Sequence, residues 1–244
     1  MMDTSRTRLL LGDAALMRLQ NAHVLVVGAG GVGAYAAELL VRAGVGALTL
    51  VDGDCVQPSN VNRQLCALQS TIGKPKVEVL AQRFRDINPN LRLVTKMQFI
   101  ESDDVAPLLD SSFDFVVDAI DSLVPKCALI AEALRRRVRI ISSMGAGAKN
   151  DVSQIRFADL WQTSQCALSK AVRHRLKEMG IRSKLPVVFC AQQPNKKAVA
   201  PSDEPGKTTI VGTVSYMPAA FGCFLASYVI NNLRSLQNSI IFKG

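Results

Sequence analysis

Short runs of apolar residues alternate with segments of helical spacing through the first 150 residues. The runs are nearly continuous in valine, isoleucine and leucine, which is typical of buried parallel strands. Strands are predicted at 23–28, 47–52, 91–97, 113–118 and 138–142, and helices at 32–43, 75–87, 103–109 and 125–137. This alternation predicts repeated strand–helix–strand units with right-handed crossovers. We therefore expect an α/β, Rossmann-like fold with a mostly parallel sheet flanked by helices.

The alternation weakens after Gly147. The elements predicted there are a strand at 153–158, a basic helix at 166–179, a long exposed loop at 192–208, and an apolar strand and helix from 210 to 233. Polar residues and a proline interrupt the last apolar stretch, so a buried helix is a better prediction than a membrane span. We expect a first domain of residues 1–150 and a C-terminal extension of 151–244 that packs on it and supplies a substrate platform or lid.

Composition narrows the class of protein. The chain has 244 residues, 48% apolar and 20% charged, which suffices for a large core without disulfides or metal. No N-terminal stretch reads as a secretory signal. The six cysteines form no CxxC pair, so no zinc ribbon is encoded, and reduced thiols in a cytoplasmic protein are expected. Only two histidines occur, His23 and His174, and neither has a neighbour that suggests a catalytic triad or a metal site.

The balance of charge points to an acidic partner. The net charge is +9, and such an excess favours nucleic acid or another anionic surface. Basic residues cluster at 135–139 and along the helix predicted at 166–179. Solvated helix faces would give the same clusters. We therefore treat nucleic acid as a candidate partner and expect no stable insertion into a membrane.

A glycine-rich turn follows the first predicted strand. Gly28, Gly30, Gly31 and Gly33 lead into the next predicted helix. Glycines let the backbone approach phosphate closely, and a helix N-terminus favours negative charge. Asp52 ends the second strand, where a carboxylate can accept hydrogen bonds from ribose hydroxyls. The pattern indicates a nucleotide site, but it does not separate an NAD dehydrogenase from an ATP enzyme.

The next segment separates these two classes of enzyme. Asp54 is followed by Asn60, Arg63 and Gln64 in the sequence SNVNRQ, and then by Lys76 in the sequence GKPK. Arg63 and Lys76 are thereby delivered close to the phosphate-binding turn. A dehydrogenase has no need of two extra cations, whereas an enzyme that cleaves ATP between its α- and β-phosphates must neutralise developing charge. The alternative is that both are surface charges.

A carboxylate follows the strand predicted at 113–118. Asp121 lies in the sequence DAID at the carboxyl end of this strand, where ligands bind in open α/β sheets. Mg²⁺ is held by one or two carboxylates together with phosphate oxygens and water, so Asp121 is the predicted metal ligand. The alternative is that Asp121 caps the helix that begins near Pro125.

Five motifs carry a resemblance to a known family. GAGGVG, LVDGD, SNVNRQ, GKPK and DAID occur in this order within residues 5–150, and they resemble the ThiF/MoeB-type adenylating enzymes, relatives of ubiquitin-activating enzymes. The resemblance implies binding of ATP and Mg²⁺, adenylation of a carboxylate, and a homodimer. It also implies that Arg6, or Arg8 in a shifted register, reaches the neighbouring subunit's ATP and stabilises transition-state charge. The site residues that it implies are catalytic Arg6, Arg63, Lys76 and Asp121, metal-binding Asp121, and nucleotide-binding Gly28, Gly30, Gly31, Gly33, Asp52, Asp54, Asn60, Arg63, Gln64, Lys76 and Asp121.

Further stretches resemble one subfamily, the tRNA threonylcarbamoyladenosine dehydratases. They are SMGAG at 143–147, GTVSYMP at 212–218, and the proline and lysine that follow DAID. In that subfamily ATP activates the threonyl carboxylate of a modified adenosine in tRNA, and intramolecular attack then expels AMP and closes a ring. This implies tRNA as the partner, with the basic helix and the lysine-rich loop suited to its phosphates. The stretch QCAL at 165–168 departs from the subfamily, which tends to have an acidic residue and a proline there.

Two other functions stay open. The second enzyme hypothesis is adenylation of the C-terminus of a ubiquitin-like sulfur carrier, with a sulfur-transfer protein as partner, although many such enzymes carry the CxxC pairs that this chain lacks. Cys190 is the candidate nucleophile for thioester chemistry, whereas ring closure needs no cysteine because the substrate carries its own nucleophile. A non-catalytic scaffold is the third hypothesis, and the intact Arg63, Lys76 and Asp121 speak against it.

Overall fold

A seven-stranded sheet organises the molecule. The computed structural model describes residues 2–201 and 209–235. The strands of the sheet are β1 (His23–Val27), β2 (Ala47–Val51), β3 (Arg92–Lys96), β4 (Phe115–Asp118), β5 (Ile140–Ser143), β6 (Ile155–Asp159) and β7 (Pro186–Cys190). Their order is β3-β2-β1-β4-β5-β7-β6. All neighbours pair in parallel except β6 and β7, which are antiparallel.

Helices cover both faces of the sheet. They are α1 (Ser5–Leu11), α2 (Asp13–Asn21), α3 (Gly33–Arg42), α4 (Lys76–Ile87), α5 (Val105–Leu108), α6 (Leu123–Arg135), α7 (Ala167–Glu178) and α8 (Tyr216–Arg234). One apolar core joins the sheet to α3, α4 and α8, and a second joins its other face to α5, α6 and α7. Both faces are covered, which explains why β1, β2, β4 and β5 are almost wholly buried.

The sheet reverses its winding at β1. The connection from β1 leads to β2 on one side, and the chain later returns to place β4 on the other side. Open α/β sheets bind ligands at such a switch point, outside the carboxyl ends of the strands. The loops after β1, β2 and β4 therefore meet at one edge of the sheet, and these loops carry the glycine motif, the Asp52 segment and the DAID motif.

The predicted fold class is confirmed, with mostly parallel strands and flanking helices. Sequence reasoning missed α1 and α2, and their short amphipathic turns gave no clear periodicity. It was also wrong to predict one continuous loop at 192–208, because β8 (Val199–Pro201) pairs with β9 (Thr209–Val211) as an antiparallel hairpin. Both strands are exposed along their whole length, so no apolar alternation marks them. Residues 202–208 of that prediction lie outside the described residues.

The C-terminal part of the chain joins the same sheet. β7 inserts between β5 and β6, so strands on both sides of residue 150 share hydrogen bonds. The final helix α8 is buried, as predicted, and packs against α3: Met217, Phe221 and Leu225 are fully inaccessible. The functional division at residue 150 stays a prediction. Within residues 2–201 and 209–235, no helix has both the length and the apolar character needed to cross a membrane.

Candidate functional site

The glycine turn connects β1 to α3 and can be made only from glycine at two positions. Gly28 has φ +96, and a Cβ placed on it would lie 2.6 Å from the carbonyl oxygen of Ala119. A Cβ on Gly33 would lie 1.8 Å from the carbonyl oxygen of Gly28. The turn is therefore packed directly against the loop after β4. Its backbone N–H groups lie at the N-terminus of a ten-residue helix, which favours a bound anion.

Asp52 ties the glycine turn to the end of β2. Its carboxylate accepts hydrogen bonds from the N–H of Ala29 at 2.6 Å and from the N–H of Asp54 at 2.8 Å. Burial raises the pKa of Asp52, and the nearby Lys76 ammonium and these two hydrogen bonds oppose that rise. Asp52 thus holds the two loops together at the place where the sequence predicts contact with a ribose.

Lys76 is a buried cation at this edge. Its side chain is 5% exposed, and its Nζ lies 2.6 Å from Oδ2 of Asp54, whose side chain is 52% exposed. The backbone N–H of Lys76 also donates to the carbonyl of Asp54 at 3.0 Å. An ammonium has three donors, so donors remain for a further anion. The structure therefore brings Asp52, Asp54 and Lys76 together beside the glycine turn, as their spacing predicts.

Arg63 and Gln64 lie on the other side of the turn. A Cβ placed on Gly31 would be 3.3 Å from the carbonyl oxygen of Arg63, and one placed on Gly30 would be 3.9 Å from Nε2 of Gln64. The guanidinium of Arg63 donates to the carbonyl of Ser59 at 2.7 Å and to Oδ1 of Asn62 at 2.9 Å. These bonds orient the guanidinium before any ligand binds.

Asn60 stabilises the turn that carries Arg63. Its side chain is buried, and its Oδ1 accepts the N–H of Gln57 at 3.1 Å to cap a short 3₁₀ turn. The carbonyl of Asn60 accepts the N–H of Arg63 at 3.0 Å. The placement gives Asn60 a direct part in positioning Arg63, while its contact with a triphosphate stays a prediction.

Asp121 follows β4 at the same edge. Its side chain is exposed, and α6 begins after Ser122 without a side-chain cap, so the structure does not place Asp121 in the capping role. The only hydrogen bond to its carboxylate within the described residues comes from the Ser122 hydroxyl at 3.4 Å. No cluster of three or more His, Cys, Asp or Glu side chains in that part of the chain could hold a metal. A carboxylate with free oxygens nonetheless suits Mg²⁺, which takes its other ligands from phosphate and water.

A buried ion pair lies beneath the loop that carries Asp121. Asp118 and Lys126 are wholly inaccessible, and Nζ of Lys126 lies 2.8 Å from Oδ2 of Asp118. Ser142 donates to the same carboxylate at 2.5 Å, and Lys126 also donates to the carbonyl of Ile120 at 2.9 Å. Sequence reasoning gave no role to this pair. A lysine on the apolar face of a predicted helix was the available signal.

Arg6 lies away from this cluster. A Cβ placed on Gly44 would be 3.5 Å from Cγ2 of Thr4, so α1 starts near the loop before β2. Asp52 follows the opposite end of β2, a five-residue strand of about 16 Å. Within one chain, then, the structure does not bring Arg6 to the other predicted site residues. Arg8 pairs with Asp13 at 3.2 Å on the surface of the same region.

A cavity opens beside Arg63. Its volume is about 520 Å³, and Asn62 forms part of its wall by donating from Nδ2 to the carbonyl of Thr213 at 3.1 Å. Asn62 thus lies in the cavity wall and also accepts a hydrogen bond from the Arg63 guanidinium. Sequence reasoning missed it because its lining comes from four separate segments: Asn62, Ala148, Lys149, Asn150, Asn195, Ala198, Gly212, Thr213, Val214 and Ser215.

A second cleft, of about 470 Å³, lies next to the Asp52 loop. Phe99 and Val124 line it, although their side chains are 67% and 55% exposed. A Cβ on Gly53 would lie 2.5 Å from the backbone nitrogen of Phe99, which places this cleft beside the end of β2. The apolar part of its lining, Phe99, Ile100, Val124 and Pro125, suits the flat face of a purine base, and Glu101, Ser102, Asp103 and Ser122 form the rest of the wall. Sequence reasoning named neither Phe99 nor Val124.

The surroundings of the two histidines and of Cys190 do not indicate a catalytic role. His23 pairs with Thr49 at 2.9 Å and contacts Phe113, and burial lowers its pKa, while His174 lies 3.2 Å from Glu178 on the exposed side of α7. Cys190 is inaccessible at the end of β7. This burial withholds the Cys190 thiol from a substrate.

Known proteins resemble this chain in sequence. Residues 4–240 match the ThiF family. A protein of Bacillus subtilis (strain 168) named tRNA threonylcarbamoyladenosine dehydratase is 41% identical over 190 residues, covering 78% of this chain and 75% of the relative. A protein of Escherichia coli (strain K12) with the same name is 44% identical over 171 residues, covering 70% of this chain and 64% of the relative.

The resemblance extends to three dimensions. A crystal structure of E. coli tRNA N6-threonylcarbamoyladenosine dehydratase in complex with ATP matches the fold with a TM-score of 0.87 and 37% sequence identity. The match covers 94% of this chain and 93% of that chain. An ATP-binding protein of this kind therefore shares almost the whole fold described above.

Proposed function

Because this chain belongs to the ThiF family, we propose that it uses ATP to dehydrate threonylcarbamoyladenosine in tRNA, as its relatives' names describe. The enzyme is an ATP-dependent adenylating enzyme of the dehydratase type. The observation that carries the proposal is the meeting of the glycine turn, Asp52, Lys76 and Arg63 at one edge of the sheet. The cations and the helix N-terminus at this edge would stabilise an anionic nucleotide.

The reaction has two steps. A carboxylate oxygen of the threonyl group attacks the α-phosphorus of ATP, the bond to the β-phosphate oxygen breaks, and pyrophosphate leaves. A nucleophilic atom of the carbamoyl group then attacks the acyl carbon, its proton passes to solvent, and AMP leaves with the former carboxylate oxygen. The nucleoside has then lost the elements of water. In the first step the positive groups of Arg63 and Lys76 would lie where negative charge develops.

The nucleotide has a proposed orientation on the protein. The glycine turn takes the phosphates, the Asp52 carboxylate faces the ribose, and the cleft lined by Phe99 and Val124 takes the base. Asp121 would hold Mg²⁺ with phosphate oxygens and water as the remaining ligands. When bound, Mg²⁺ would supply Lewis-acid neutralisation of phosphate charge.

A second copy of the chain is proposed to complete the site. None of the seven residues of α1 is buried, and Leu9 and Leu10 are 86% and 83% exposed. We take these adjacent exposed leucines as part of the proposed surface between two copies of the chain. Arg6 is exposed on the same helix and far from its own glycine turn, so it is suited to act on the ATP of the neighbouring subunit.

Mixing two inactive variants tests both assignments. Arg6→Ala and Asp121→Asn are each expected to lose AMP formation, since one lacks the cation in trans and the other lacks the metal ligand. When the two are dissociated and mixed, random pairing gives half heterodimers, each with one intact site, so about a quarter of wild-type activity returns. AMP release at saturating Mg²⁺ is the measurement. No recovery on mixing would show that Arg6 serves its own subunit or none.

The proposed tRNA surface lies beside the cavity. Lys196 and Lys197 are exposed on a 3₁₀ turn between Asn195 and Ala198, and both of those line the cavity. On α7, Lys170 is exposed, whereas Arg173 is tied to the carbonyls of residues 160 and 163 and cannot serve phosphate freely. The basic helix thus contributes fewer free cations than its sequence suggests.

Replacing both loop lysines is expected to weaken tRNA binding. In Lys196→Ala/Lys197→Ala two phosphate contacts are lost, so the slope of log K against log salt becomes less negative by about 2. Filter binding across a salt series measures this slope, and ATP affinity serves as the control because it should not change. A slope equal to that of the wild type would remove this turn from the tRNA surface.

One assay separates the proposal from its runner-up, adenylation of a sulfur carrier with a sulfur-transfer partner. The protein is incubated with ATP and either tRNA that contains threonylcarbamoyladenosine or a ubiquitin-like carrier. AMP and pyrophosphate released only with tRNA support the dehydratase. Release only with the carrier supports the runner-up, and no release with either supports a scaffold. The cytoplasmic location stays a prediction.

A further inference from the structure

A buried lysine outside the motifs lines the cavity beside Arg63. Lys149 is 5% exposed, and its Nζ donates to the carbonyl of Cys190 at 2.6 Å. Among the described residues, Lys149 takes part in none of the ion pairs. Burial lowers its pKa, and only the thiols of Cys166 and Cys190 oppose this. The chain therefore holds a desolvated cation with no carboxylate partner in the described structure.

Such a group is costly unless an anion reaches it. Removing an ammonium from water carries a penalty of several kcal/mol, which a carbonyl oxygen offsets only in part. An ammonium has three donors, and the Cys190 carbonyl takes one of them. Lys126 and Lys76, the other buried lysines among the described residues, each pair with a carboxylate. Lys149 differs from them in that it lines a cavity and contacts no carboxylate among the described residues.

The position of the cavity identifies which anion would enter. Asn62 joins its wall to the Arg63 guanidinium, so a ligand in the cavity is next to the proposed triphosphate site. Asn150 and Asn195 add amide groups that can pair with amide and hydroxyl groups of a ligand. Resting on the proposed function, we infer that Lys149 binds the carboxylate that ATP activates and that the cavity holds the group bearing it.

This assignment gives Lys149 two effects on the reaction. A fixed cation would hold the carboxylate in place for attack on the α-phosphorus, which converts an encounter into an oriented reaction. The ammonium would also release its hold when adenylation removes the negative charge of the carboxylate. Lys149 is therefore a substrate-binding residue for the acid, distinct from Arg63 and Lys76, which are proposed to bind the nucleotide.

The test compares Lys149→Met, which removes the charge, with Lys149→Gln, which keeps a donor for Cys190. The matched control is Lys184→Met, a change to an exposed lysine. AMP formation is measured with modified tRNA as the varied substrate. Both Lys149 variants should lose about tenfold to a hundredfold in kcat/KM for tRNA, the value of one hydrogen bond to a charged group. ATP affinity without tRNA should match the wild type in both variants, and the melting temperature of Lys149→Gln should be no lower than that of the wild type, because an uncompensated buried charge is removed.

Other outcomes overturn the inference in distinguishable ways. An unchanged kcat/KM for tRNA in Lys149→Gln, or a loss that follows ATP affinity or melting temperature, contradicts it while the proposed function stands. If wild-type protein releases AMP only with a carrier protein, the dehydratase fails, and the same comparison is made with the carrier's carboxylate. Release with neither substrate overturns both the function and the inference.

Discussion

Replacing Arg63 with alanine is expected to slow AMP formation by a hundredfold or more, about the effect of removing one donor from a transition state. The guanidinium is held by the carbonyl of Ser59 and by Asn62, so it is oriented before ATP binds. A group already in place stabilises developing charge without reorganisation. The loss should therefore appear in kcat more than in ATP affinity.

The measurement is pre-steady-state release of pyrophosphate with saturating ATP and tRNA. Arg63→Lys keeps the charge but loses the planar pair of donors, so it should fall between alanine and the wild type. Arg85→Ala, a change to an exposed arginine on α4, is the matched control and should leave the rate unchanged. A full rate in Arg63→Ala would assign the cation role to Lys76 alone.

Replacing Lys126 with methionine is expected to lower the free energy of unfolding by about 3–5 kcal/mol, the usual effect of breaking a buried ion pair. The change leaves the Asp118 carboxylate in the core with Ser142 and the Ile120 N–H as its remaining donors. For a protein of this size the melting temperature should fall by roughly 6–20 °C. The loss of the bond from Lys126 to the Ile120 carbonyl should also loosen the loop that carries Asp121.

Urea and thermal unfolding measure the effect. The double variant Lys126→Met/Asp118→Leu removes both charges and should recover much of the lost stability, because no buried charge is left unpaired. Lys170→Met, a change to an exposed lysine of α7, should alter stability by less than about 0.5 kcal/mol. A Lys126→Met protein as stable as the wild type would mean that water reaches Asp118.

The sequence alone determined the fold class, the family and the main site motifs. Buried parallel strands are nearly continuous in apolar residues, so β1, β2, β4 and β5 were visible without tertiary information. The resemblance to the ThiF/MoeB-type enzymes is confirmed by the family match over residues 4–240. The glycine turn and Asp52 could be predicted together because each directly follows a strand at the same edge, and Lys76 begins the helix that leads back from this edge to β3.

Only the tertiary structure decided what lies between distant segments. The cavity beside Arg63 is lined by residues more than 80 positions apart, so no local pattern encodes it. Burial likewise decides the role of a lysine: Lys149 is inside without a carboxylate partner among the described residues, Lys126 is inside and paired with a carboxylate, and Lys170 is in solvent. Periodicity reports which face of one element is apolar. Which charge meets which partner depends on how elements pack, since Coulomb energy depends on distance and on exclusion of water.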